Sequence, residues 1–371
     1  MKKNNIPLVC LRSQYLSIKE EIDLAIKNVI ESTNFILGTE VADFESNFSR
    51  LNGSAHCVSC ANGTDALFLA LKSIGIKSND EVITTAHSWI STSEAITLAG
   101  AKPVFCDIDP TNYCLNTDLI EPLITKRTKA ILPVHIYGHP ANMEKIIDIA
   151  NNYSLKIIED CAQAHLAQVN NKNVGLFGDI GCFSFYPGKN LGAFGDAGGI
   201  LTNSQELSEW IKLYARHGGK GIHQFEGINS RMDNIQAAIL NVKIKYLKKW
   251  TEGRRLKASY YNESLAGVGD IVLPKENEGH KHVYHLYTIR TKFRDSLKDF
   301  LKENSIATTI NYPLFLPFLP AYAYLKHKTS DFPIANQIQS EILSLPLYPE
   351  LTIDQQEFIN EKIKFFFNQK T

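Results

Sequence analysis

Short runs of apolar and β-branched residues recur through the first half of this chain. They are "DEVITTA" from Asp80, "AKPVFCDI" from Ala101, "KAILPVHIY" from Lys129 and "LKIIEDCA" from Leu155. A strand that is apolar at successive positions must be covered on both faces, because its side chains alternate sides. Segments with helical spacing stand between these runs, among them "ISTSEAITLAG" and "NMEKIIDIANNYS". Strands alternating with helices predict an α/β fold, a mostly parallel sheet flanked by helices. "AHCVSCANGTDAL" reads as a further strand running into a helix, with Asn62-Gly63-Thr64-Asp65 as the start signal. "LSIKEEIDLAIKNVIE" (16–31) has the spacing of an amphipathic helix.

The texture changes after about residue 240. "NVKIKYLKKWTEGRRLKASYYNESLAG" reads as one long basic amphipathic helix. Candidate strands "HVYHLYTIR" and "ATTINY" follow, and "DQQEFINEKIKFFFNQ" predicts a C-terminal helix. The expected division is a large α/β domain over 1–245 and a smaller C-terminal α+β domain over 246–371.

Lys+Arg and Asp+Glu balance at 39 each among 371 residues. That balance offers no electrostatic footprint for nucleic acid or a membrane surface. No apolar run is long enough to span a bilayer, and the N-terminus lacks the apolar core of a secretory signal, so a cytoplasmic location is expected. Seven cysteines and no leader predict free thiols. Cys57 and Cys60 have C-x-x-C spacing, yet no second such pair exists to complete a four-thiolate site.

One lysine stands out. Lys189 lies in "FSFYPGKNLG", an apolar and turn-forming stretch. A desolvated lysine gives up its proton more easily and can attack an aldehyde. Upstream, "IIED" ends an apolar strand on Glu159 and Asp160, where α/β proteins bind ligands. Gly63 and Thr64 stand at a helix N-terminus, which attracts anions. A phosphate cradle, a carboxylate and a desolvated amine together are what pyridoxal 5′-phosphate requires. Trp89, after another strand end, could wall a flat ring.

These segments resemble the DegT-type nucleotide-sugar aminotransferases, a branch of the fold-type I pyridoxal-phosphate transferases. The similarity runs from "FILGTEVADFE" through "CANGTDAL", "PVHIYGHPANM", "IEDCAQAH" and "FSFYPGKNLGAFGDAGGI" to "GINSRMDNIQAAIL". The resemblance implies Lys189 as the lysine that bonds the cofactor aldehyde and Asp160 as the partner of the pyridine nitrogen. It implies Gln163 near the ring hydroxyl, Gly63, Thr64 and Ser184 on the phosphate, and Trp89 on the ring face. It further implies a homodimer with shared active sites, in which Asn229 reaches the neighbouring subunit's phosphate. L-glutamate would be the amino donor and a nucleotide-linked keto-deoxy sugar the acceptor, in amino-sugar and polysaccharide biosynthesis. "NSRMD" resembles members that aminate C3, with C4 the alternative. Relatives that dehydrate sugars carry histidine in place of the lysine, so Lys189 favours amino transfer.

Cys10, Arg12 and Asn311 depart from the family pattern near the expected sugar pocket. His217, Arg231 and Asn311 are candidate substrate-binding residues, and 218–227 reads as a flap or a solvated loop. His282, Tyr284 and His285 alternate on a presumed strand. His135 and His139 have the i,i+4 spacing of a zinc pair, which serves a metal only on a helix, and this stretch reads as strand and turn. A dinucleotide oxidoreductase lacks its early G-x-G-x-x-G, and a non-enzymatic cofactor-binding regulator is the remaining class.

Overall fold

The computed structural model describes residues 5–370. The β-branched runs fold into a seven-stranded sheet: β1 (His56–Cys60), β2 (Glu81–Thr85), β3 (Lys102–Cys106), β4 (Thr128–Leu132), β5 (Lys156–Asp160), β6 (Ile180–Ser184) and β7 (Gly198–Thr202). Their spatial order is β1-β7-β6-β5-β4-β2-β3. Five strands, from β6 to β3, run parallel. β7 alone reverses, pairing antiparallel with both β6 and β1. Both faces of β2 are buried along its whole length, as a continuous apolar run requires.

This topology places the site. β5 is the middle strand, and Asp160 at its end pairs in register with Cys182 near the end of β6. The segments leaving β2, β4, β5 and β6 therefore emerge along one sheet edge, where open α/β sheets take ligands. The helix Gly63–Ser73 starts beside that edge. Asn62 caps it, its side-chain oxygen accepting the Asp65 N–H at 2.8 Å.

The long helix expected from residue 241 is two helices, Asn234–Lys243 and Leu247–Leu265. The first buries Ala237 and Leu240 in the core beside the sheet, and the second buries Ala258, Tyr261 and Leu265 in the C-terminal core. Serving two cores requires a turn at 244–246, and no Gly or Pro marks it. The helix at 16–31 likewise breaks, at Ile18, into Leu11–Ser17 and Lys19–Ser32, and Ile18 is buried there. Of "HVYHLYTIR" only β8 (Tyr287–Arg290) is strand, paired antiparallel with β9 (Ile342–Leu345). "ATTINY" contributes a single bridge, Thr309 to Ser344. His282 and His285 thus lie on irregular backbone, not on alternating strand positions.

Two chain crossings shape the cores. Ile6 packs with Tyr261, Tyr287 and Leu297, and its backbone bonds Ser305 and Ala307 at 2.9 Å each. Conversely, Phe315, Leu316, Tyr322 and Ile338 pack into the core of the large sheet. Among the described residues no helix is long and apolar enough to cross a membrane.

Candidate active site

At the sheet edge lies a cavity of about 680 Å3. Gly63, Thr64, Trp89, Asp160, Gln163, Ser184 and Lys189 all line it, so the structure brings together seven residues spread over 127 positions (63 to 189).

One end is cationic without a cation. The Asp65 and Ala66 N–H groups bond Asn62, while those of Gly63 and Thr64 have no partner among the described residues. Two N–H donors at the positive end of a helix favour an anion. Ser184 stands against them: a Cβ added to Gly63 would lie 2.6 Å from the Ser184 Cβ, so only glycine lets the helix end and β6 approach this closely. The Thr64 hydroxyl donates to Ser91 at 2.7 Å.

Asp160 is held from two sides. Its Oδ2 accepts from the Thr92 hydroxyl at 2.8 Å and its Oδ1 from the Ala162 N–H at 3.1 Å. Thr92 in turn pairs with Ser88 at 2.7 Å. Burial raises the carboxyl pKa, the Thr92 and Ala162 bonds and the Lys189 charge work against it, and burial prevails. Lys189 sits on a turn closed by its own N–H donating to the Tyr186 carbonyl at 2.8 Å. Burial pushes its amine down to about 8, opposed by the Asp160 charge. No hydrogen bond or ion pair among the described residues engages that amine.

Gln163 has a fixed orientation. Its Oε1 accepts the Tyr137 N–H at 2.7 Å, and its Nε2 donates to the Tyr312 hydroxyl at 3.0 Å. The side chain therefore presents N–H toward the cavity. Tyr137 adopts φ +58°, a left-handed conformation unusual for a bulky residue. Its hydroxyl bonds the Asn311 carbonyl and pairs with His87 Nε2 at 2.6 Å. Trp89 is 57% exposed, with its ring 5.5 Å from that of Tyr312.

Three predicted residues stand apart. Asn229 is exposed and bridges Arg216, His217 is exposed, and Arg231 lines neither this cavity nor the one beside it. Asn311 lines the neighbouring cavity. The 218–227 stretch is an irregular loop braced by the stacked rings of Trp210, Tyr214 and Phe225. The sequence reading missed Asp65, Thr92, Tyr137 and Tyr312, which carried no local signal except the capping pattern around Asp65.

His135 and His139 each have a ring nitrogen already engaged by a hydrogen bond. His135 Nδ1 accepts the Ala141 N–H at 3.0 Å, so its Nε2 carries the proton shared with Glu159 at 3.0 Å. Glu159 also accepts N–H bonds from Gly175, Phe177 and Gly178. These donors are occupied, although His135, Glu159 and Cys161 lie close enough to hold an ion. Cys57 and Cys60 are buried on β1, where a three-residue interval sends side chains to opposite faces.

A carboxylate, a desolvated amine and an anion-binding helix end at the mouth of this sheet define a transferase of the pyridoxal-phosphate fold. Residues 16–364 match the DegT/DnrJ/EryC1/StrS aminotransferase family, and the chain belongs to that family. It is 45% identical to a pleiotropic regulatory protein of Geobacillus stearothermophilus, covering 98% of this chain and 99% of that one. It is 42% identical to the UDP-N-acetyl-3-dehydro-alpha-D-glucosamine 3-aminotransferase of Acidithiobacillus ferrooxidans, covering 94% and 95%. Among solved structures, DesV of S. venezuelae superposes with a TM-score of 0.96 at 37% identity, covering 98% of each chain. The protein is an aminotransferase whose cofactor is pyridoxal 5′-phosphate. The unpartnered Gly63 and Thr64 N–H groups, the close approach of Ser184, the buried acid and the unengaged amine fit that cofactor.

Proposed function

We propose that the protein moves an amino group from L-glutamate to the C3 keto group of a nucleotide-linked keto-deoxy sugar, as a cytoplasmic homodimer. The observation that carries this reading is one cavity lined by Lys189, Asp160 and the Gly63–Thr64 helix end. The Acidithiobacillus relative's named substrate, a 3-dehydro sugar on UDP, supports position 3. The "NSRMD" segment (229–233) agrees with it.

In this reading Gly63, Thr64 and Ser184 would hold the phosphate, Trp89 would cover the ring, and Gln163 would donate to the ring oxygen. Asp160 would keep the ring nitrogen protonated. When bound, the cofactor supplies an aldehyde that takes up an amino group and a ring that withdraws electrons. The Lys189 amine would hold the cofactor's aldehyde group and would serve as the base that takes and returns the proton at the donor's α-carbon. A lowered pKa lets the amine serve as that base near neutral pH. Asn229 is exposed in the single chain, which suits a contact across a dimer interface. The unit boundary near residue 245 belongs to the same proposal, with the turn at 244–246 as its joint.

The regulatory name of the Geobacillus relative favours one second reading, a cofactor-binding regulator. Borohydride reduction of the holoenzyme followed by peptide mapping should mark Lys189. L-glutamate should convert the bound cofactor in a single turnover, and a keto-sugar nucleotide should leave with nitrogen at C3. Lys189→Ala should abolish turnover and trapping. Trapping at another residue would overturn the assignment, and trapping without glutamate-dependent conversion would favour the regulator.

A further inference from the structure

A second cavity of about 230 Å3 adjoins the first and shares Gln163, Tyr186, Lys189 and Tyr312 with it. The reactive amine therefore faces both spaces. The first cavity carries three carboxylates, Asp65, Asp160 and Asp196. The second is lined by none. Its ionisable lining residues are Lys189, Arg254, His285 and the phenols Tyr186 and Tyr312. Aliphatic side chains, Leu8, Leu345 and Leu347 among them, form the rest of its wall.

Two polar groups here have fixed orientations. Arg254 is only 4% exposed, and its Nη1 donates to the Leu347 carbonyl at 2.8 Å, with longer contacts to those of Tyr284 and His285. The rest of the guanidinium has no hydrogen-bond partner among the described residues. Glu350 is the acid that acts on Arg254, and it does not line the cavity. Asn311 Oδ1 accepts from the Ser344 hydroxyl at 3.1 Å, which leaves the amide N–H2 for the cavity. Ser344 is itself paired with Thr288 at 2.9 Å, so this orientation is braced.

We infer that this second cavity is the seat of the amino donor's carboxylate end, with Arg254 and Asn311 as the groups that recognise it. The inference rests on the aminotransferase reading above. A charge-assisted bond to a desolvated cation, beside an amide donor, selects a carboxylate. The aliphatic wall takes the methylenes between the two carboxylates of a five-carbon diacid. The volume lies below the roughly 300–1,000 Å3 of pockets that enclose drug-sized ligands, so a whole nucleotide sugar does not fit in it.

The test uses the holoenzyme and glutarate, a diacid that lacks the reacting amine, with neutral glutaramide as control. Calorimetry should show glutarate binding at least tenfold tighter than glutaramide. Asn311→Asp keeps the oxygen that Ser344 bonds and turns an anion toward the cavity. It should weaken glutarate at least tenfold and raise the KM for L-glutamate. Arg254→Met should act in the same direction. Should that variant fail to fold, the Asn311→Asp result stands alone. Equal glutarate affinity in wild type and Asn311→Asp, or glutaramide binding as tightly as glutarate, overturns the inference. Loss of glutarate binding with Lys189 still trapped would sink this inference only, whereas no trapping at Lys189 would sink the aminotransferase reading itself.

Discussion

Ser230 donates its hydroxyl to the Asp65 carboxylate at 2.6 Å, joining residues 165 positions apart at the helix-start end of the site. The same hydroxyl oxygen accepts the Ala61 N–H at 3.1 Å. Ser230 is fully buried, while Asn229 beside it is exposed. One short segment thus locks the helix start from within and presents an amide outward.

Ser230→Ala should weaken cofactor binding about tenfold. It leaves the Ala61 N–H unsatisfied and frees a carboxylate beside the anion site, a loss of about 1–3 kcal/mol. Absorbance titration of the apoenzyme with pyridoxal phosphate measures it, and unchanged affinity would show that the lock is irrelevant to the cradle.

Gly63→Ala should destabilise the protein by about 1–3 kcal/mol, because its Cβ would meet Ser184 at 2.6 Å. The double variant Gly63→Ala with Ser184→Gly should recover most of the lost Tm, yet still bind the cofactor weakly without the Ser184 hydroxyl. Additive losses in the double variant would rule out this contact as the cause.

The Lys189 amine should become reactive as pH rises through about 8, not near 10.5. Burial disfavours the ammonium, and the Asp160 charge partly restores it. Asp160→Asn removes that charge, so the midpoint should fall further. The pH dependence of amine acylation at Lys189 in the apoenzyme, followed by mass spectrometry, reads the midpoint. An upward shift in Asp160→Asn would contradict the electrostatic account. Because the folded pKa lies below the unfolded value, the unfolded chain binds more protons between those two values. Lys189 therefore contributes a stability gain as pH rises across that window.

Glu159→Gln should cost about 1–3 kcal/mol, because an amide NH2 would replace an oxygen that accepts buried bonds from backbone N–H groups and from His135. Added zinc should not raise the Tm of the wild-type protein through this cluster. A zinc-dependent rise lost in His135→Ala would show that the donors can be redirected.

If Asn229 acts across a dimer, mixing inactive Lys189→Ala with Asn229→Ala chains should restore activity. The hybrid holds one site in which both residues are intact. Reassembly without any recovery would place Asn229 in its own subunit's site, or in none.

The sequence alone determined the layers and the chemistry. Apolar periodicity set the strands, a capping pattern set the helix at Gly63, and the residue types at 160 and 189 pointed to one cofactor. These are local signals, since backbone propensity and the side-chain period act over a few residues. Only the tertiary structure decided the break at 244–246, where one stretch serves two cores, and the packing of Phe315 and Ile338 on the large sheet. It also decided which polar groups meet: Ser230 with Asp65, Tyr137 with Gln163, and Arg254 with Asn311 on one cavity wall. Such meetings depend on strand order and chain crossings, which bring together residues that carry no mark of one another in the sequence.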